Sequence, residues 1–247
     1  MTLPGLVLVH GGGLAADSWE LTVGEIRRQA PDLTVLAVDL PGRRGKQGDL
    51  HAATIADFVQ SIVGDIADAG LLDVVIVGHS MAGLTVPCVV AELGSSRVRE
   101  MILAAAVVPA DGQSIADCMT GFFAPPIRRD AKRGGLNITR PFGARVAYLN
   151  GVPRARREFM KNKLYPESAR MLGEKVVGRV LPAAVPRTWI LTQRDRMLSE
   201  ESQHRGIEAL GGVQEVIPID TCHLLMVSEP ERLAQILVDR CRLYTHC

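Results

Sequence analysis

Short apolar runs punctuate the chain at Leu6–His10, Thr34–Asp39, Val74–Gly78, Met101–Ala106, Thr188–Thr192 and Val213–Ile217. Most are rich in Val, Ile and Leu and lack polar alternation, the pattern of strands buried on both faces of a parallel sheet. Longer stretches with helical spacing lie between them, at Ser18–Gln29, Thr54–Ala69, Ser80–Glu92, Glu200–Leu210 and Pro230–Leu243. Local signals mark two of the helix starts. Thr54 precedes Asp57 at a capping-box-like spacing, and Pro230 suits a first helical turn. Strand and helix alternating through short connections predict an α/β fold, with an open and mainly parallel sheet of about six strands and flanking helices. Ligands of such sheets bind beyond the strand carboxyl ends.

The segment from about Gly112 to Val185 breaks this rhythm. It contains FFAPPIRRDAKRGG, TRPFG and GVPRARREF, offers no clear strand, and predicts three or four helices. It carries 14 Lys/Arg against 5 Asp/Glu, in a chain whose formal net charge is only +1. A long insertion between strands reads as a functional lid or cap. The expected organisation is therefore one core, residues 1–111 and 186–247, interrupted by a helical lid at 112–185. Positive charge around its mouth would draw an anionic substrate, such as a carboxylate-bearing ester, a coenzyme A thioester or an acyl carrier protein. The same long side chains would equally well solvate helical surfaces.

Composition changes the picture mainly by exclusion. A chain of 247 residues can bury a substantial core. The near-neutral charge and 4% aromatic content give no electrostatic or stacking case for nucleic acid. No apolar stretch reaches the roughly 18 to 20 residues of a membrane span. The opening MTLPGLVLVHGGG lacks a basic n-region and reads as a first strand rather than a signal peptide, so a cytoplasmic location is expected. Cys88, Cys118, Cys222, Cys241 and Cys247 are odd in number and have no CxxC spacing. They read as reduced thiols, with no disulfide or zinc site. No metal or organic cofactor is expected, and the chain is compatible with a homodimer.

The candidate chemistry lies at Gly78-His79-Ser80-Met81-Ala82-Gly83, between a buried strand and a helix. A serine on so sharp a turn is a nucleophile elbow, which needs small residues two positions to either side of it. Gly78 meets that need, and Ala82 stands where a second glycine is usual. The hydroxyl requires a base. His79, adjacent in a tight turn, should point away from it and pack beside the elbow. The base expected instead is His223, after the last strand. Asp195, at the end of the strand before that one, is its expected partner, with Asp111 as a rival acid and Asp220 assigned to the turn. Asp39 is expected to fix the VDLPGRRG turn, and His10 to serve structure. Cys88 reads as helix core, Cys222 as packing, and His51, His204 and His246 as exposed. The strand ending in His10-Gly11-Gly12-Gly13 allows close backbone approach to a ligand. The amides of Gly12 and Met81 are the expected donors to an oxyanion.

HGGG, VDLPGRRG, GHSMAG, the Asp195 loop and the late His223, in that order, resemble an α/β-hydrolase over nearly the whole chain. The chain starts at what resembles that family's third strand. The spacing is similar to the small-esterase branch that includes plant methylesterases and hydroxynitrile lyases, and CHLLMVSEPERLAQIL is similar to the methylesterase ending. The lyases carry a lysine after the late histidine and a threonine after the first strand's histidine. Leu224 and Gly11 occupy those two positions here, where substrate contact is expected, so the resemblance does not extend to cyanohydrin cleavage. Ser80 excludes the aspartate-nucleophile chemistry of the dehalogenase branch. The resemblance implies a serine hydrolase cleaving a small or medium carboxylic ester through an acyl-enzyme. Thioesterase, lactonase and carbon–carbon hydrolase activities share that triad, and a non-hydrolytic receptor or cyclase would retain it as a ligand anchor.

Overall fold

GLVLV of β1 (Gly5–Val9) is buried at every position, and its side chains divide by parity. Val7 and Val9 enter one hydrophobic cluster, Leu6 and Leu8 a second one on the opposite face of the sheet. The same split recurs in β3 (Val74–His79), with Ile76 on the first side and Val75 and Val77 on the second. Uninterrupted apolar runs are what a two-sided core requires. The computed structural model describes residues 3–139, 143, 145, 146, 148–160 and 162–245. Residues 140–142 of the TRPFG stretch, together with His246 and Cys247, lie outside the described residues.

β1 pairs with β2 (Val35–Val38) and β3, β3 with β4 (Val98–Ala104), β4 with β7 (Arg187–Thr192), and β7 with β8 (Glu215–Ile219), all parallel. The order β2-β1-β3-β4-β7-β8 reverses direction between β1 and β3. Such a switch point opens a crevice at the carboxyl ends of the two strands, and both the Gly11–Gly13 turn and Ser80 lie there. Helices α1 (Glu20–Gln29) and α2 (Ile55–Asp68) follow β1 and β2, and α3 (Ala82–Leu93) follows β3. α2 packs on α3, while α1 packs on the C-terminal helix (Pro230–Arg242). Thr54 and Asp57 form the reciprocal capping box that their spacing predicts.

Several boundaries differ from the expected ones, each for a local reason. β4 stops at Ala104 because Ala105 turns the chain at φ 45°. β8 begins at Glu215 rather than Val213 because Gly211 and Gly212, at φ 76° and 95°, are still turning. The helix after Ser80 begins at Ala82, and Ala16–Trp19 forms a separate 3-10 turn ahead of α1. The segment between β4 and β7, expected to lack strands, contains β5 (Leu136–Asn137) and β6 (Glu167–Ser168), paired antiparallel. Its described helices include α4 (Ile115–Cys118), α5 (Ala124–Arg133), α6 (Arg154–Arg157) and α7 (Ala169–Gly173). Beyond β7 come α8 (Glu200–Ala209), α9 (Leu225–Ser228) and α10 (Pro230–Arg242). Among the described residues, no helix is long and apolar enough to cross a membrane.

Candidate active site

Ser80 holds φ 53°, a conformation that costs a non-glycine residue energy and persists only where its surroundings enforce it. Here Ser80 N–H donates to Ala104 O, while its carbonyl accepts from Gly83 N–H and Val107 N–H. The turn is tight enough to dictate its neighbours. A Cβ on Gly78 would come within 2.9 Å of Val86 Cγ2. On Gly83 it would meet Val107 O at 2.4 Å, a backbone atom that cannot rotate aside. Ala82 carries its methyl in a buried position. The indispensable glycine after the serine is therefore Gly83, one residue later than the expected spacing.

His223 lies in the loop between β8 and α9, and Asp195 just past β7. The structure brings both to the elbow. Ser80 Oγ–H donates to His223 Nε2 at 2.9 Å, and His223 Nδ1–H donates to Asp195 Oδ2 at 2.7 Å. The side chains of His223 and Asp195 are shielded from solvent. Asp195 Oδ1 accepts Met197 N–H and Leu198 N–H, and Oδ2 also accepts the Thr192 hydroxyl. Burial alone would push this carboxyl up. The charge and N–H of His223, with the two amides, outweigh it and hold Asp195 below the ordinary carboxylate value.

The rival acids are elsewhere. Asp111 is exposed and accepts Gly178 N–H, and Asp220 pairs with Arg194 on the surface. Asp39, expected to fix its own turn, instead accepts Ala16 N–H and so anchors the turn before α1. Leu224 is fully buried in the second core cluster. Gly11 packs beneath the elbow, where a Cβ would meet His79 Nδ1 and Ser80 Cβ at 2.8 Å. Neither of these two residues is among those lining the cavity at Ser80. Cys88 is only partly buried, Cys222 is buried against Gly151, and His51 and His204 are exposed.

His79 is fully buried and turned away from the serine. Its Nε2–H donates to the His223 carbonyl at 2.9 Å, and the two imidazole centroids are 4.9 Å apart. His10 is also fully buried: its Nδ1–H donates to Gly11 O, and its Nε2 accepts Leu40 N–H. Desolvation lowers both pKa values to about 3, assisted by the positive charge of His223 for His79 and of Arg43 for His10. A histidine depressed in this way adds stability that is complete above its unfolded value near 6.5 and is lost as pH falls toward 3. By pH 4 the loss is on the order of 3 kcal/mol per ring. The urea midpoint should therefore fall steeply between pH 6.5 and 4, and His79→Gln should flatten part of that slope. A midpoint constant across that interval would contradict this account of the two rings. Asp195, with its lowered value, adds a separate loss only below about pH 4.

A small cavity of about 70 Å³, partly open to solvent, faces Ser80. The amide-bearing Gly12 and Met81 line it beside the serine, and neither amide donates to another group among the described residues. Val107, Ile115, Met119, Ile127, Leu172 and Met197 make its apolar wall. Asn137, Tyr148 and Glu167 make a polar end, and Glu167 is the one charged side chain among the described lining residues. Three cations of the inserted segment are engaged away from this cavity. Arg156 pairs with Glu231, Lys163 with Glu20, and Arg128 donates to Ala116 O and Met119 O. Among the described residues, no group of three His, Cys, Asp or Glu is arranged to hold a metal.

Sequence reasoning did not single out Glu167, Arg43, Tyr148 or Tyr165, all of which meet the glycine turn or its supports. Arg43 and Glu167 form a buried ion pair at 2.5 Å across 124 positions of sequence. No local spacing signals such a pair.

The alpha/beta hydrolase family model matches residues 6–236, and the chain belongs to that family. A rice protein described as the probable esterase PIR7A (Oryza sativa subsp. indica) is 25% identical over 253 aligned positions, covering 94% of each chain. An extracellular alpha/beta-hydrolase from a Paenibacillus species superposes with a TM-score of 0.79 at 22% identity, covering 96% of this chain and 98% of that one. Tomato methylketone synthase I, solved with 2-tridecanone, superposes at 0.78 with 18% identity, covering 99% and 100%. At such identities the two structures establish the shared fold.

Proposed function

We propose that this protein is a serine hydrolase that cleaves a small or medium, uncharged carboxylic ester through an acyl-enzyme. One observation carries the reading: the Ser80–His223–Asp195 relay, with bonds of 2.9 and 2.7 Å, opening on a largely apolar cavity. Ser80 attacks the ester carbonyl as its proton passes to His223 Nε2. Asp195 holds the Nδ1–H tautomer and stabilises the imidazolium. The Gly12 and Met81 amides receive the oxyanion, and a low-dielectric wall strengthens that contact. His223 then protonates the departing alcohol, and a water molecule repeats the sequence to free the acid. The segment between β4 and β7 acts as the lid.

Charge favours a neutral substrate. Arg156, Lys163 and Arg128 of the lid are engaged in ties to the core and to the lid's own backbone, and the one charged group among the described lining residues, Glu167, is already paired with Arg43. A coenzyme A thioester or an acidic carrier would find no cationic partner among the described lining residues. The description of the rice relative as a probable esterase agrees with ester cleavage. The test is hydrolysis of p-nitrophenyl esters from acetate to decanoate, alongside labelling with a fluorophosphonate. Turnover with an optimum at short or medium chain length, and one label per chain, are expected. A folded protein that cleaves no member of the series and takes no label would refute the proposal.

A further inference from the structure

The turn that carries Gly12 is held from two directions. The Gly11–Gly12 peptide plane, which contains the Gly12 amide, is tethered to the core at its carbonyl end alone: Gly11 O accepts Leu14 N–H at 3.3 Å and His10 Nδ1–H at 2.9 Å. The next plane is fixed by the inserted segment. Tyr148 Oη–H donates to Gly12 O, and Gly13 N–H donates to Glu167 Oε2 at 3.1 Å. Tyr165 N–H closes the arrangement by donating to Gly13 O at 2.8 Å. Gly13 sits at φ 68°, and consecutive glycines have wide conformational freedom. Without these bonds little in the turn itself would fix where the Gly12 amide aims.

Glu167 is the least replaceable of these contacts. Its side chain is almost completely buried, and its Oε1 accepts Ser168 N–H. Behind it, the fully buried Arg43 donates Nη2–H to the same Oε2 that takes Gly13 N–H. Arg43 is itself held by Leu14 O through Nε and by Pro41 O through Nη1. A bare carboxylate beside an oxyanion would oppose it; a carboxylate neutralised by a guanidinium does not. Burying such a pair is costly, and apolar residues would fasten lid to core at least as well. What an apolar residue could not do is accept the Gly13 amide.

We propose that Glu167 is a positioning residue for the hydrolysis: it holds the Gly12–Gly13 turn so that the Gly12 amide meets the oxyanion, and Arg43 cancels its charge. The proposal rests on the hydrolase reading above. Glu167→Ala should lower kcat by about 10- to 100-fold, short of the loss from deleting an oxyanion donor outright, with KM changed less than about threefold. Glu167→Gln should recover most of that kcat. Its amide oxygen belongs at the Oε2 site, which faces two donors, so the Gly13 bond survives and only the Ser168 contact is lost. Both variants deprive Arg43 of its counter-charge and should lose thermal stability, yet the glutamine, which keeps the Gly13 bond, should hold most of its kcat despite that loss. A purely structural role would instead make kcat follow Tm.

A trifluoromethyl ketone matched to the best ester adds a second readout, since its adduct with Ser80 places an oxyanion at Gly12. Its affinity relative to the unreactive parent alcohol should fall in Glu167→Ala and hold in Glu167→Gln. If Glu167→Ala does not fold, the double variant Arg43→Met/Glu167→Ala leaves no buried charge unpaired and should show the same kcat loss. A folded alanine variant within threefold of wild-type kcat, or a glutamine variant as slow as the alanine one, overturns the proposal. A wild type that neither hydrolyses esters nor takes a fluorophosphonate overturns the hydrolase reading, and this inference with it.

Discussion

Ser80→Ala is expected to lower kcat by about 10⁵- to 10⁶-fold on any ester that the wild type cleaves, and to abolish fluorophosphonate labelling. The residue is the only hydroxyl that His223 Nε2 meets in the described structure, at 2.9 Å, and the elbow presents it to the cavity. Removing the oxygen leaves the cavity wall and the two amides in place. Binding should therefore survive, seen as a Kd for a non-hydrolysable ester analogue within a fewfold of wild type. Stability should not fall, because alanine relieves nothing essential to packing and the strained φ is enforced by backbone bonds to Ala104, Gly83 and Val107. A variant that keeps more than about one part in a thousand of wild-type turnover, after contaminating wild type is excluded, would mean that another group attacks the ester.

Asp195→Asn is the second large effect, about 10⁴-fold in kcat at neutral pH, and its direction follows from the carboxylate's partners. Oδ1 faces two backbone amides, Met197 and Leu198, which cannot turn away. The asparagine oxygen must occupy that site, which puts its NH₂ at the Oδ2 site, against His223 Nδ1 and the Thr192 hydroxyl. Threonine can rotate to accept. Histidine can accept only by moving its proton to Nε2, the atom that must take the Ser80 proton. The ring is then held in the wrong tautomer with its geometry intact. Activity assays on the folded variant, with nitrogen-15 spectra of the imidazole, would reveal both parts. Near-normal turnover would show that Asp195 does not govern the tautomer.

Much of this architecture was legible in the chain because its signals are local. Apolar runs without alternation marked the parallel strands, and strand, glycine, serine and helix in immediate succession marked the elbow. His223 and Asp195 were reachable because a parallel sheet gathers the ends of its strands on one edge, so each loop residue there has few places to be. What stayed hidden depends on packing between distant segments. The space that demands Gly83 is occupied by the Val107 carbonyl, which no spacing rule in GHSMAG reveals. The Arg43–Glu167 pair joins a turn after β2 to a two-residue strand in the insertion. The basic composition of that insertion fits anionic ligands and solvated helical surfaces alike, and it cannot locate the carboxylates and carbonyls that Arg156, Lys163 and Arg128 meet.

The bonds from Tyr148, Tyr165 and Glu167 to the glycine turn also bear on how such a protein can change over time. Three polar groups of Gly12 and Gly13 are satisfied by the insertion rather than by the fold that surrounds it. Core and insertion are thus not separately inheritable modules. A chimera that received a foreign insertion, however well its outer surface docked, would leave a buried amide, two carbonyls and the Arg43 charge unanswered. New pockets should arise here by substitution along the apolar wall, from Val107 through Met197, and seldom by wholesale exchange of the segment that encloses it.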